Sequence, residues 1–482
     1  MPLFLGIDVG TTKIAVVLLD SETGSVRSAQ EGPNLSRIST PPERSEWDAD
    51  AIVATALSLA WNVVATQDRA KIAGIGVTGQ MHGTVIVDSE LRPVTPLIGW
   101  QDKRASIPDQ NDLSTLDWMR QRADELTWQQ TGCRLAPGFM GPTLVWLARH
   151  HRLPTRSVTA SFVPDLVVAH LVGKRPVTDP TDAGGSGIFD VVNRRWDADL
   201  IGALGIPTEI LPEVRPSGTI VGTLVPALAA QLGLPNGLPV VNGVGDNQAS
   251  FFGSVGQPNT DLLINVGTGG QISAASERYV PPDVIETRCH VDGRYLLVGA
   301  GIVGGTAYAA WRDFIRQVGE QCFGLRDPVD LYPILNRLAA EAPTGSDGLR
   351  CDPRFAGTRP DPRKRGSFEE INPANFTPGH FSRALLEGVA ASFAEQYTLL
   401  EKSGLSVRSR LVGAGNGIRR NPVLAQILGA RFGLPVVTPA HLEEAAYGAA
   451  LIAAVTTKAV PNLEVAGSLI HYQSSEPGPA NP

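Results

Sequence analysis

The sequence predicts an α/β protein of two related domains, and three observations carry that prediction. Apolar strand-like runs alternate with amphipathic helical segments along most of the 482 residues. The chain opens with two apolar strands around a Gly-Thr-Thr turn at residues 3–20. A similar strand–Gly-Thr–strand unit returns at residues 261–274. This echo reads as an internal repeat, two domains each presenting a phosphate loop to a common cleft.

Composition narrows the function. A hydrophobic content of 43% with 18% charged residues suits a globular protein with a substantial core. The net charge of −7 and the lack of a long basic run give no electrostatic case for a nucleic-acid partner. Cys133, Cys289, Cys322 and Cys351 show no CxxC or CxxH spacing, which argues against a zinc site and fits a reducing compartment. The N-terminus enters a strand without a basic leader, and no apolar run approaches the roughly 20 residues of a membrane span. The expected setting is cytoplasmic, with small-molecule partners, no membrane, and a monomer or homodimer.

Taken in order, residues 3–26 form a three-strand meander with turns at Gly10-Thr11-Thr12 and Glu22-Thr23-Gly24. Backbone amides and hydroxyls of the first turn can hold phosphate oxygens. Asp8, at the strand end, can order waters around Mg²⁺, which takes only one or two carboxylates. The alternative is a plain hairpin with a surface Asp. Residues 48–66 carry an amphipathic helix pattern and feed a strand at 72–77. That strand ends in Thr78-Gly79-Gln80-Met81-His82-Gly83, polar groups displayed where an α/β sheet keeps its ligand crevice. Gln80 and His82 can bond hydroxyls while Met81 packs on a carbon skeleton. Trp100, Gln101, Asp102 and Arg104 form a kit suited to a polyol, though Asp102 and Arg104 also fit an exposed ion pair. The loop at residues 181–187 receives no role.

The sharpest polar stretch is Val244-Gly245-Asp246-Asn247-Gln248, after the apolar run Pro239-Val240-Val241. A strand ending in Gly-Asp that opens a helix places one carboxylate at the mouth of a cleft. Asp246 reads as a catalytic base; its rival role is helix N-cap. In the second half, Gly267-Thr268-Gly269 repeats the phosphate turn, and Gly304-Gly305-Thr306 opens a helix. Helices are expected over 381–400 and after the Gly-rich turn at 413–417, which lets a flat base approach the backbone. The stretch 357–375, with Arg359, Arg363, Lys364 and Arg365, reads as an exposed loop, and the Pro- and Ser-rich end as a frayed tail.

Together these segments resemble the FGGY carbohydrate kinases of the actin-like, sugar-kinase and heat-shock ATPase superfamily, over about residues 3–456 and in the family's motif order. The resemblance implies two ribonuclease-H-like (actin-like ATPase) domains around a central cleft: a sugar-binding domain at 1–245, a nucleotide-binding domain at 246–470, and a tail at 471–482. It implies ATP and Mg²⁺ as cofactors, with Asp8 as a metal-associated acid acting through water and Asp246 as catalytic base and a further possible metal contact. Gly10, Thr11, Thr12 and Lys13 match the first phosphate loop, Gly267 and Thr268 the second. Gly304 and Gly305 match the onset of nucleotide contacts, and Gly415 and Asn421 the adenosine loop. On the sugar side the implied residues are Gln80, Met81, His82, Trp100, Gln101, Asp102 and Asn247.

The Arg-Glu pair of glycerol kinases is absent after Gly79. Thr78–Gly83 resembles xylulokinases and sedoheptulokinases alike, whereas Gln101 and the segments at 138–146, 164–168 and 418–421 resemble the sedoheptulokinase branch. Lys103 departs from both groups, which usually carry Gly there. The expected reaction is phosphorylation of the terminal hydroxyl of a ketose, sedoheptulose ahead of D-xylulose. The competing class is non-catalytic: an ATP-dependent switch or chaperone explains the Gly-Thr turns but not Gln80-Met81-His82 or Trp100-Gln101-Asp102, and the presence of Asp8 and Asp246 weighs against a catalytically dead sugar sensor.

Overall fold

A computed structural model of the chain describes residues 1–110, 112–154, 157–282, 285–325, 329–357, 361 and 363–474. The expected exposed Arg359 and the tail beyond Ser474 lie outside the described residues. In chain order, the elements that position the site begin with β1 (Leu3–Val9), β2 (Lys13–Asp20) and β3 (Val26–Pro33). Next come α1 (Ala49–Val64), β4 (Ile72–Gly79), α2 (Met140–Arg149), α3 (Val163–Val172) and α4 (Pro180–Ala183). Then follow β5 (Ile220–Thr223), β6 (Pro239–Val241), β7 (Val244–Gly245) and α5 (Asp246–Ser254). The later half runs β8 (Asp261–Val266), β9 (Gly269–Ser276), β10 (Glu286–Cys289), β11 (Tyr295–Val303), α6 (Gly305–Phe323) and α7 (Pro378–Lys402). It ends with β12 (Arg410–Ala414), α8 (Pro422–Phe432), β13 (Val436–Pro439), α9 (Glu444–Thr456) and β14 (Tyr472–Ser474).

The chain divides into two compact units that are not contiguous in sequence. The first comprises Met1–Gln257, Ala275–Leu297 and Glu443–His471; the second comprises Pro258–Ala274, Val298–Leu442 and the segment beginning at Tyr472. The sequence reading placed one boundary at Asp246 and kept 443–470 with the second half; the compact division instead sends α9 back to the first unit.

In the first unit the sheet order is β5-β6-β4-β1-β2-β3, with β7 also paired to β4. The strands β1 and β2 are antiparallel, while β1 and β7 both run parallel to β4. Strand β1, with no charge before Asp8, is buried on both faces, as a central strand between helical layers must be. Helix α1 begins where Asp48 accepts the N–H of Ala51, and its apolar stripe of Ile52, Val53, Ala56, Ala60, Val63 and Val64 joins the sheet core. The other face carries α9, whose Ala-rich sequence from Ala446 to Ala454 is buried all round.

The second unit repeats the opening logic. Its sheet includes β11-β9-β8-β12-β13-β14 in that order. The pair β8/β9 is antiparallel and β8/β12 parallel, matching β1/β2 and β1/β4. The internal repeat is therefore structural. Two details differ from the sequence reading. Tyr472–Ser474 are not frayed but pair with β13, and Ser367–Glu369, inside the expected loop, form a short strand against Arg350–Asp352.

Candidate active site

Strand register assembles the site in the first unit. Asp8 faces Thr78 across the β1/β4 pair, and Thr78 faces Val244 across β4/β7; Val9, Gly79 and Gly245 align in the next row. The carboxyl ends of three parallel strands thus stop level with one another, and the turn at 10–12, the segment 80–83 and helix α5 leave from that one edge. Such an edge is where α/β sheets gather ligand groups. The Thr78 hydroxyl donates to the Val244 carbonyl at 2.8 Å, pinning β7 to β4 from the side-chain side as well.

Asp246 is the first residue of α5, and the N-cap position belongs to Gly245, with no side-chain cap bond. The rival reading of Asp246 as a cap is therefore not what the helix shows. Burial pushes its carboxyl up to about 6, against the pull of the Arg288 guanidinium and of the Asn247 N–H. Asp8 is raised well above the ordinary 3.8, first by burial and then by Asp246 and Glu443, with Lys13 opposing. Its Oδ1 is buried with no hydrogen-bond partner. An orphaned carboxylate oxygen with acidic neighbours fits a divalent cation that keeps most of its waters. Among the described residues no group of three or more His, Cys, Asp or Glu could cage a metal outright.

Thr11 joins the phosphate turn to the sugar-side residues. Its hydroxyl donates to Gln80 Oε1 at 3.1 Å and accepts the indole N–H of Trp100 at 3.0 Å. Gln80 and Met81 are buried, whereas Trp100 and Gln101 are exposed. His82 adopts a left-handed φ of 77°, a conformation rare outside Gly and often retained at functional sites. Its ring stacks on Phe139, centroids 4.2 Å apart, and its Nδ1 bonds the Gly185 carbonyl at 2.8 Å.

Two expected residues are occupied elsewhere. Lys13 bonds Glu31 at 2.6 Å and Glu443 at 2.8 Å, so its charge is already balanced by two carboxylates. Asp102 is fully buried and clamps Arg104 through Nε and Nη2, both at 2.8 Å, while accepting the Ser45 N–H. Arg104 continues to Glu46 and lies over the Trp146 ring at 5.2 Å. The ion pair foreseen for Asp102 exists, but it is interior, and its geometry leaves Asp102 outside the group around Thr11.

The sequence reading missed Arg288 and Glu286. They sit two apart on β10, on the same side of the strand, and pair at 2.5 Å while almost completely buried. Arg288 also reaches Asn247 Oδ1 at 3.4 Å and Met81 Sδ at 3.8 Å. The sequence offers only two opposite charges at strand spacing, a pattern that does not by itself point to a site.

In the second unit, the ends of β8 and β12 and the start of α6 converge. Gly305 N donates to the Gly267 carbonyl at 2.9 Å and Thr306 N to the Thr268 carbonyl at 3.1 Å. Gly415, at φ 80°, lies so close to β8 that a Cβ there would stand 2.6 Å from the Val266 carbonyl oxygen. Gly267, Thr268, Gly304, Gly305 and Gly415 therefore form one glycine-lined cluster. Asn421 differs: it is buried, and its side chain accepts the Leu424 N–H as the N-cap of α8.

A carboxylate at the head of a helix, an orphaned acidic oxygen on the same strand edge and polar side chains beside them are compatible with phosphoryl transfer to a polyhydroxy substrate. Comparison with known proteins makes that class specific. Residues 3–253 match the model of the FGGY family of carbohydrate kinases, N-terminal domain, and residues 262–457 match its C-terminal domain. The chain belongs to this family and is an ATP-dependent carbohydrate kinase. A sedoheptulokinase of Mus musculus is 27% identical over 485 residues, covering 94% of this chain and 97% of that protein. A glycerol kinase of Trichlorobacter lovleyi is 30% identical over 479 residues, covering 94% and 90%. The crystal structure of xylulose kinase from Rhodospirillum rubrum matches with a TM-score of 0.86 at 26% identity, covering 99% and 95%. No helix among the described residues is long and apolar enough to cross a membrane.

Proposed function

We propose that this kinase phosphorylates the terminal primary hydroxyl of a mid-sized ketose, with sedoheptulose ahead of D-xylulose. The observation that carries the reading is the level edge of β1, β4 and β7, which holds Asp8, the Gln80-Met81-His82 segment and Asp246 side by side. Asp246 accepts the hydroxyl proton as that oxygen attacks the γ-phosphorus of ATP. With a carboxyl near 6, it is ionised at neutral pH yet basic enough to receive a proton. Gln80, His82 and Trp100 orient the sugar, Met81 packs on its carbon chain, and Asn247 is placed toward it by Arg288. Gln101, exposed beside Trp100, and Asp102 complete the sugar-side set read from the sequence; Asp102 acts by tying its turn to the Ser45 N–H and, through Arg104, to Glu46.

Asp8 would hold Mg²⁺ through water, with Asp246 as a further contact; the ion would neutralise charge on the transferring phosphate. The amides and hydroxyls at Gly10, Thr11 and Thr12 would hold phosphate oxygens, with Lys13 as a nearby cation. In the second unit, Gly267, Thr268, Gly304 and Gly305 would hold nucleotide phosphates, and Gly415 the adenosine, with Asn421 fixing the helix behind it. A cytoplasmic setting is part of this proposal.

Gln101 and the segments at 138–146 and 418–421 support sedoheptulose over xylulose, and Lys103 narrows the margin. Glycerol is disfavoured because a site lined with buried polar groups rejects a substrate that leaves them unpaired. ADP formation with sedoheptulose, D-xylulose, D-ribulose and glycerol tests the proposal. A higher kcat/KM for sedoheptulose is expected; preference for xylulose removes the branch assignment, and preference for glycerol removes the ketose reading.

A further inference from the structure

The segment around residues 181–187, which has no role in the sequence reading, touches the site twice. At its start, Asp179 caps α4 by accepting the N–H groups of Thr181 and Asp182, both at 3.0 Å. A cap needs nothing more, yet the Thr181 hydroxyl also donates to Asp179 Oδ1 at 2.7 Å, and the Ser217 hydroxyl donates to Asp179 Oδ2. With its proton committed to Asp179, Thr181 Oγ1 accepts the backbone N–H of Gly245 at 2.9 Å. Every direction in this relay is forced: an amide only donates, a carboxylate only accepts, and the hydroxyl between them does both. Gly245 is the residue from which α5 and Asp246 depart.

The far end of the loop holds the sugar side. The Gly185 carbonyl can only accept, so His82 Nδ1 carries a proton and donates it to that bond. A Cβ built on Gly185 would stand 2.8 Å from Nδ1 and 3.2 Å from Cε1 of that ring, so only glycine lets the loop approach this closely. Asp179, Thr181 and Ser186 are completely buried, which fixes both contacts in one rigid frame.

We propose that residues 179–187 are the positioning element of the transfer site, Thr181 setting the backbone of the base and Gly185 setting the ring plane of His82. The inference rests on the proposed function and adds residues that the sugar and nucleotide reading does not use. Thr181 and Gly185 act through Gly245 and His82, the groups they bond. Because one loop carries both contacts, base and sugar are referred to the same frame, which keeps the attacking hydroxyl and its acceptor aligned.

The test is steady-state ADP formation by the full chain with sedoheptulose and with D-xylulose, alongside thermal melting. Thr181→Val keeps the shape but removes donor and acceptor. It is expected to lower kcat on both sugars by roughly tenfold to a hundredfold at unchanged KM for ATP, and Thr181→Ser is expected to restore it. Gly185→Ala is expected to raise KM for the ketose and change the sedoheptulose-to-xylulose ratio, with the smaller effect on kcat. Should Thr181→Val fail to fold, Ser217→Ala loosens Asp179 from its other side and is expected to lower kcat in the same way. Wild-type kcat in Thr181→Val, equal loss in Thr181→Val and Thr181→Ser, or a Gly185→Ala that lowers only the melting temperature overturns the proposal. A wild-type chain that makes no ADP with either ketose overturns the proposed function itself, and is distinguished from those outcomes by its own control.

Discussion

The indole N–H of Trp100 and the hydroxyl of Thr11 meet at 3.0 Å, joining an exposed aromatic plate to the first phosphate turn. That hydroxyl donates in turn to Gln80 Oε1, so a residue assigned to ATP and two assigned to the sugar share one hydrogen-bonded chain. Trp100→Phe keeps the plate and deletes the donor. A neutral hydrogen bond contributes about 0.5–1.5 kcal/mol, so ketose KM should rise by roughly twofold to tenfold with kcat less affected. Unchanged KM in initial-rate measurements would show that the plate alone matters.

Asp246→Asn preserves size and, since Gly245 is the cap, leaves the helix start intact. Turnover should fall by roughly 10²–10⁴-fold, the usual effect of losing a general base, with the melting temperature nearly unchanged. In the wild type the base must be ionised, so kcat/KM should rise from acid pH with a midpoint near 6. A flat profile from pH 5 to 8 would contradict the assignment.

Arg288 and Glu286 form a buried pair, and breaking such a pair from one side leaves an uncompensated charge. Arg288→Met should destabilise the fold by about 3–5 kcal/mol, while Arg288→Met combined with Glu286→Gln should recover much of the loss. Arg288 also pulls the Asp246 carboxyl down, so in either variant the acid limb of kcat/KM should move above 6. Urea melts and pH profiles of the three proteins separate the two effects.

Asp165 and Asp182 are completely buried, and no hydrogen bond of good geometry satisfies their carboxyl oxygens. Burial raises both well above 3.8; Asp165, Asp179 and Asp246 add to the rise at Asp182, and Asp179 adds at Asp165 while Thr178 opposes it. The folded protein therefore keeps these protons where the unfolded chain has shed them. By linkage their contribution is full below the unfolded value near 3.8 and is lost as pH climbs toward the folded values. Asp182→Asn, which imitates the protonated acid, should flatten the decline of melting temperature above pH 5. Each such group weighs about 1.4 kcal/mol per pH unit within its window. An unaltered slope in Asp182→Asn and Asp165→Asn would mean that both acids ionise in the folded state.

Much of this architecture is legible in sequence because it is local. The Gly-Thr-Thr turn, its echo at Gly267-Thr268 and the strand-to-helix step at Asp246 each declare themselves within a dozen residues. What escaped depends on partners far along the chain. Lys13 looks like a phosphate ligand until Glu443, 430 residues away, is brought beside it. Asp102 reads as a surface acid because burial is not written in Trp-Gln-Asp; the Ser45 amide and Trp146 ring that enclose it come from distant segments. Arg288 was hidden for the opposite reason, since nothing near residue 288 announces that a site lies beside it. The 181–187 loop is small and polar, a composition that serves solvent and backbone positioning equally well.

The discontinuous first unit has a consequence for how the protein is made. Helix α9 packs so closely on β1 and β4 that a Cβ at Gly6 would stand 1.9 Å from the Ala446 carbonyl oxygen, and one at Gly76 2.0 Å from that of Ala449. No other element can substitute for a backbone fitted at that range. The ribosome finishes β4 early, but at ~5–20 residues per second it reaches the end of α9 roughly 20 to 75 s later. Throughout that interval the nascent sheet shows an uncovered apolar face, a surface that chaperones hold and that other nascent chains can stick to. Synthesis of α9, rather than emergence of the first strands, is thus the moment at which the sheet that opens the chain can be covered.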